Sequence, residues 1–193
     1  LDLSSAASDV YKRQIVDYTD RNTCVLFGDG ASACVVSNKG AGLLVHDLSL
    51  GSDGQYADLL ILPGGGSRNP ATAETIAKKM HFVQMEGKEI FKHAVRRMAS
   101  AATIVLKQAG LVQEDIRWLV PHQANIRIIE AIAKRFSYST QQVFLTVQKY
   151  GNTSASSIGI ALDELIREGG LKNKDHIMPV SYTHLRAHET RHD

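Results

Sequence analysis

The chain has 193 residues, 44% hydrophobic and 22% charged, the composition of a soluble globular protein with a sizeable core. A formal net charge of +2 gives no basis for nucleic-acid binding, no apolar run is long enough to span a membrane, and nothing near residue 1 is laid out as a secretory signal. Two cysteines, Cys24 and Cys34, are too few for a disulfide framework or a zinc site and fit a reducing, cytoplasmic compartment.

The opening LDLSSAASDVYKRQ and the closing PVSYTHLRAHETRHD show neither strand nor amphipathic helix patterning. Both resemble translated adapter sequence, so residues 1–14 and 179–193 are set apart as non-native tails. Next, TCVLFGDGASACVVSN predicts a tight strand pair, Thr23–Phe27 and Ala33–Val36, turning at Gly28, Asp29 and Gly30. Residues 40–70 are loop-rich around one short apolar run, LLIL. In EIFKHAVRRMASAATIVLKQAG, Ile90, Phe91, Ala94, Val95, Met98, Ala102, Val105 and Leu106 recur at helical spacing, and Gly110 is placed to end the helix. A strand over Trp118–Val120 leads to a helix with Ile126, Ile129, Ile132, Ala133 and Phe136 on one face. A strand around Val143–Val147 leads to a helix, starting near Ser154, that carries Ile158, Ala161, Leu162, Leu165 and Ile166. Ile177 and Met178 open a last apolar run. Alternating helices and strands imply an α/β layered fold.

Two polar residues stand where such folds place ligands, just beyond the C-terminal ends of strands. Pro121 lacks an N–H and forces Val120 to extended geometry, so the strand stops and His122 follows at its edge. Asn152, after Gly151, occupies the same kind of position. Asn125 stands as an N-cap. A histidine after a strand is commonly a structural hydrogen-bonder and an asparagine before a helix a cap, so spacing alone leaves both readings open.

The segments DRNTCVLFGDGASA, MEGKEIFKHAV, WLVPHQANIRII and YGNTSASSIGIAL occur in this order between Ile15 and Met178. Through them the chain resembles the β-ketoacyl-acyl carrier protein synthase III family, the initiating condensing enzymes of type II fatty-acid synthesis in the thiolase superfamily. The resemblance implies a thiolase-like layered αβαβα fold. Residues 15–84 would form the end of its N-terminal half with a connecting loop, and residues 85–178 most of its C-terminal half. It also implies a catalytic trio of Cys, His and Asn, with His122 and Asn152 as the second and third members. The expected reaction loads an acyl group from acyl-CoA onto the cysteine and joins it to malonyl-acyl carrier protein with decarboxylation, in a cytoplasmic homodimer with no cofactor. Cys24 and Cys34 lie in apolar strands without the helix N-terminus or cationic neighbour that activates a thiol, so both are expected in the core. The family's nucleophile lies upstream of the GDG strand pair, and this chain alone is expected to be inactive.

By the same resemblance Gln123, Ala124, Asn125, Ile126 and Arg127 form a carrier-protein contact segment, extended by basic Lys92, Lys134 and Arg135. On charge pattern alone these are a solvated helix face. Met85, Gly87 and Phe91 match positions lining a substrate tunnel, although periodicity alone makes Phe91 ordinary core. LPGGGSRNP lacks the Lys-Ser/Thr ending of a phosphate loop. HETRH, His188 to His192 with His184 nearby, matches a zinc signature but lies in a polar terminal run, so no metal is expected. The competing readings are a hydrolase using Cys, His and Asn in that chain order, and a non-catalytic carrier-protein-binding fragment.

Overall fold

The computed structural model describes residues 3–9, 12–39 and 41–182, the first stretch as backbone. Six strands and five α-helices follow in order: β1 (Leu3–Asp9), β2 (Gly30–Val36), β3 (Leu60–Ile61), α1 (Ala73–Ala77), β4 (Gln84–Met85), α2 (Gly87–Ala109), β5 (Ile116–Pro121), α3 (Ile126–Arg135), α4 (Val147–Tyr150), α5 (Ser156–Arg167) and β6 (His176–Val180). The pairs β1–β2 and β3–β4 are antiparallel and β5–β6 is parallel. HETRH and His184 lie outside the described residues.

Side chains alternate across a strand, and β5 uses both faces. Leu119 points into a core shared with Ala94, Met98 and Ala102 of α2 and Ile129 and Ile132 of α3. Its neighbours Trp118 and Val120 point the other way, against Ala161 and Leu165 of α5. Helix α5 packs in turn on β2 and β1. The layers therefore run β1–β2, α5, β5–β6, then α2 with α3, an alternating α/β stack. Gly159 lets α5 approach β2: a Cβ there would lie 2.3 Å from Ser32 Oγ. Gly110 ends α2 in a left-handed conformation, φ 67°, which glycine adopts without steric cost.

The structure corrects five local expectations. Thr23–Phe27 is not a strand. The Asp20 carboxylate accepts from Asn22 N at 3.0 Å and Thr23 Oγ1 at 2.8 Å, and its carbonyl takes Cys24 N, so a local side-chain alternative wins over extended pairing. The partner of β2 is instead β1, with Asp9 opposite Gly30 and Leu3 opposite Val36; the opening segment does hold a strand, because backbone pairing needs no apolar alternation. Val143–Val147 is mostly not a strand. Only Val143 bridges Leu119, and the Gln123 side chain then replaces the ladder: its Oε1 accepts from Thr146 N at 2.8 Å and Val147 N at 3.1 Å. Neither cysteine is core: Cys24 is half-buried in a turn and Cys34 is exposed on β2. At the other end, β6 runs on to Val180, past the expected tail boundary at 179.

Candidate active site

His122 leaves the C-terminal end of β5, where Pro121 pairs with Val180 and His122 N donates to Val180 O at 2.8 Å. His122 as a residue is 8% exposed. Its Nδ1 lies 2.6 Å from Ser157 Oγ, in the first turn of α5. Burial, with a smaller contribution from the charge of Lys12, lowers its pKa from 6.5 to about 4, so the imidazole is neutral near pH 7. Nε2 has no hydrogen-bond partner among the described residues and is not sealed from solvent.

Asn152 is held by backbone on both sides. Its N–H donates to Leu26 O at 2.8 Å, and its carbonyl accepts from Gly28 N at 3.0 Å, making a parallel bridge with Phe27. Two glycines permit this contact. A Cβ on Gly28 would sit 2.0 Å from Tyr150 O, and Gly151 has φ 68°, a region costly for other residues. Lys149 Nζ (2.6 Å) and Tyr150 Oη both donate to Glu164 of α5, which anchors the turn from outside and lowers the Glu164 pKa. The motifs VLFGDG and YGNTSASS are thus one structural unit.

The Asn152 side chain has a fixed orientation. Oδ1 accepts from Ser154 N at 2.9 Å, and an N–H needs an oxygen there, so Nδ2 points away. Nδ2 has no hydrogen-bond partner among the described residues. Ser154 is buried and holds φ 52°, a strained conformation of the kind found at functional sites. His122 and Asn152 are therefore attached to one stretch of chain: Ser154 holds the asparagine and Ser157, which bonds Ser154 O through its own N–H at 3.1 Å, holds the histidine. His122 Nε2 and Asn152 Nδ2 are the atoms left without a hydrogen-bond partner among the described residues.

The other expected site residues are more dispersed. Gln123 is 1% exposed, its Nε2 donating to Pro121 O and Phe144 O and its Oε1 taking two amides, so it offers no surface to a partner. Its polar atoms hold the 144–147 backbone instead. Ala124 is half-buried against the α2–α3 core. Asn125 caps α3, Oδ1 accepting from Arg127 N at 2.8 Å. Ile126, Arg127, Lys134 and Arg135 are exposed, with Glu130 exposed between the basic residues. Lys92, on α2, pairs with Glu89 at 2.7 Å. Met85 and Gly87 adjoin, a Cβ on Gly87 falling 3.7 Å from Met85 Cε, and Phe91 lies one turn along α2 against the core. None of the three lines the cavity of about 530 Å³ between the Ser49–Gly54 loop and Arg97, Ala101 and Ile104 of α2. Among the described residues no group of His, Cys, Asp or Glu could hold a metal ion, and no helix is long and apolar enough to cross a membrane.

Residues 106–183 match the family model for the 3-oxoacyl-[acyl-carrier-protein] synthase III C-terminal domain, and residues 6–54 match that for 3-oxoacyl-[acyl-carrier-protein] synthase III. The chain belongs to this synthase III family. It is 58% identical over 168 residues to β-ketoacyl-[acyl-carrier-protein] synthase III of Chlamydia muridarum, covering 86% of this chain and 51% of the relative. The synthase III of Caldanaerobacter subterraneus is 50% identical over 169 residues, 88% of this chain and 51% of the relative. The crystal structure of the Aquifex aeolicus synthase III superimposes with a TM-score of 0.79 at 37% identity, over 93% of this chain and 53% of that one. For the Thermus thermophilus synthase III the TM-score is 0.77 at 37% identity, over 94% and 54%. The chain thus spans about half the length of the synthase III relatives it matches, and its α/β stack is thiolase-like.

Sequence reasoning missed Ser157, Ser154 and Phe27. A run reading NTSASS hides which hydroxyl matters, and the bridge at Phe27 is made by the backbone of its neighbours Leu26 and Gly28.

Proposed function

We propose that this chain carries the decarboxylating side of a condensing site, in which an acyl group from acyl-CoA is joined to malonyl-acyl carrier protein. Loss of carbon dioxide from a malonyl thioester leaves an enolate whose negative charge lies on the thioester oxygen. Hydrogen-bond donors aimed at that oxygen stabilise the charge as it forms. His122 Nε2–H and Asn152 Nδ2–H are such donors, and both are uncharged. The resulting carbanion attacks the carbonyl carbon of an acyl-cysteine, and the thiolate leaves. One observation carries this reading: both side chains are anchored from the Ser154–Ser157 turn, His122 at Nδ1 and Asn152 at Oδ1, which leaves Nε2 and Nδ2 without partners among the described residues.

Neither Cys24, in an Asp20-organised turn, nor Cys34, exposed on β2, is the acylated thiol in this proposal. Residues 15–84 would close the N-terminal half of the intact protein, and 85–178 would make up most of the C-terminal half. The exposed Arg127, Lys134 and Arg135 of α3, supported by Lys92, would meet an acidic carrier protein. Met85, Gly87 and Phe91 would line the approach of its prosthetic arm. The intact enzyme would be a cytoplasmic homodimer.

The test is His122→Ala in a full-length protein built around this sequence. Decarboxylation of malonyl-carrier protein should fall about a hundred- to a thousandfold, while acylation of the cysteine by acyl-CoA persists. Lost acylation with intact decarboxylation would overturn the roles.

A further inference from the structure

We infer that Ser157 is a positioning residue that holds His122 in its Nε2–H tautomer, an inference that rests on the donor role proposed for His122. Ser157 is 1% exposed and its Oγ has two neighbours. Gln123 N–H donates to it at 3.3 Å, and His122 Nδ1 stands at 2.6 Å. A serine hydroxyl has one hydrogen to give and lone pairs to receive. The backbone amide can only donate, so it occupies a lone pair and leaves the hydroxyl hydrogen for Nδ1. The reverse arrangement, with Nδ1–H donating to Oγ, leaves a buried hydroxyl hydrogen with no acceptor among the described residues, which structures avoid. With Nδ1 as acceptor, a neutral ring must carry its hydrogen on Nε2, the atom without a protein partner.

The Gln123 amide hydrogen thereby takes part as well. It follows His122 directly in the chain, and its side chain is fixed by Pro121 O and Phe144 O. The main chain that delivers the histidine thus also fixes which way its serine partner points.

The tautomer is read by two-bond nitrogen–proton NMR correlations on the 193-residue chain labelled at histidine nitrogen, without reference to turnover. The wild type should show His122 as a single Nε2–H form near pH 7. Ser157→Ala should give a mixture of the two tautomers, and Ser157→Thr, which keeps the hydroxyl, should restore the single form. An Nδ1–H form in the wild type overturns the assignment, even if the variants fail to fold. So does an unchanged single Nε2–H form in Ser157→Ala. If the tautomers behave as expected while His122→Ala retains decarboxylation in the full-length protein, the functional reading fails and the positioning role of Ser157 stands.

Discussion

Acidification should destabilise this fold through His122 before most of its carboxylates are protonated. The folded ring has its pKa pushed down to about 4 from 6.5, first by burial and second by Lys12. Above pH 6.5 the ring is neutral in both folded and unfolded chains, and its full contribution to stability is present. Between 6.5 and about 4 the unfolded chain takes up a proton that the folded chain refuses, so stability falls as pH falls. At about 1.4 kcal/mol per unit, the gap amounts to ~3 kcal/mol, a large part of an ordinary domain's stability. The assay is urea unfolding at several pH values from 7.5 to 4.5, for the wild type and for His122→Gln, which cannot titrate. Paired carboxylates such as Asp29, held low by Arg13, act in both proteins and cancel in the difference. The wild type should lose stability relative to the variant with a slope approaching 1.4 kcal/mol per unit inside that window and none above it. Parallel pH profiles would show that His122 titrates alike in both states, and the neutral-donor chemistry would lose its support.

Gly28→Ala should cost about 2–4 kcal/mol in the same unfolding assay, because its Cβ overlaps Tyr150 O and parts the two hydrogen bonds that Asn152 makes with Leu26 O and Gly28 N. Gly51→Ala, where a Cβ meets nothing within 4 Å, should stay within about 0.5 kcal/mol of wild type; equal effects would refute the packing argument. Gln123→Ala removes four hydrogen bonds, two of them buried and two part-buried, and should cost about 2–4 kcal/mol, with a matching drop in melting temperature; an unchanged value would mean that water replaces the amide. In a full-length protein, Arg127→Glu should raise the KM for malonyl-carrier protein and leave loading from acyl-CoA unchanged, since only one substrate brings an acidic protein surface. An equal effect on both would place docking elsewhere.

The long helices α2, α3 and α5 were legible because each buries one face, and the residues on that face recur within a few positions of each other. His122 and Asn152 were legible as strand-end polar residues, and their pairing came from the resemblance. What stayed hidden was non-local. The β1–β2 pairing joins backbone groups and leaves no alternation in LSSAASD. The missing strand at Val143–Val147 depends on a side chain more than twenty residues earlier, Gln123, standing in for a ladder partner. Cys24 was misplaced for a related reason: Asp20 organises its own turn within a stretch rich in β-formers.

The Phe27–Asn152 bridge has a consequence for assembly. It joins residues 125 positions apart (152 minus 27), whereas His122 is seated largely by residues within sixty positions of it. Closing the longer loop costs more chain entropy before any contact repays it, and such distant pairings are slow to form. In a refolding chain the bridge should therefore close after the histidine is seated, the nearby Ser154 amide orienting the Asn152 side chain before its backbone is pinned to residues 26–28.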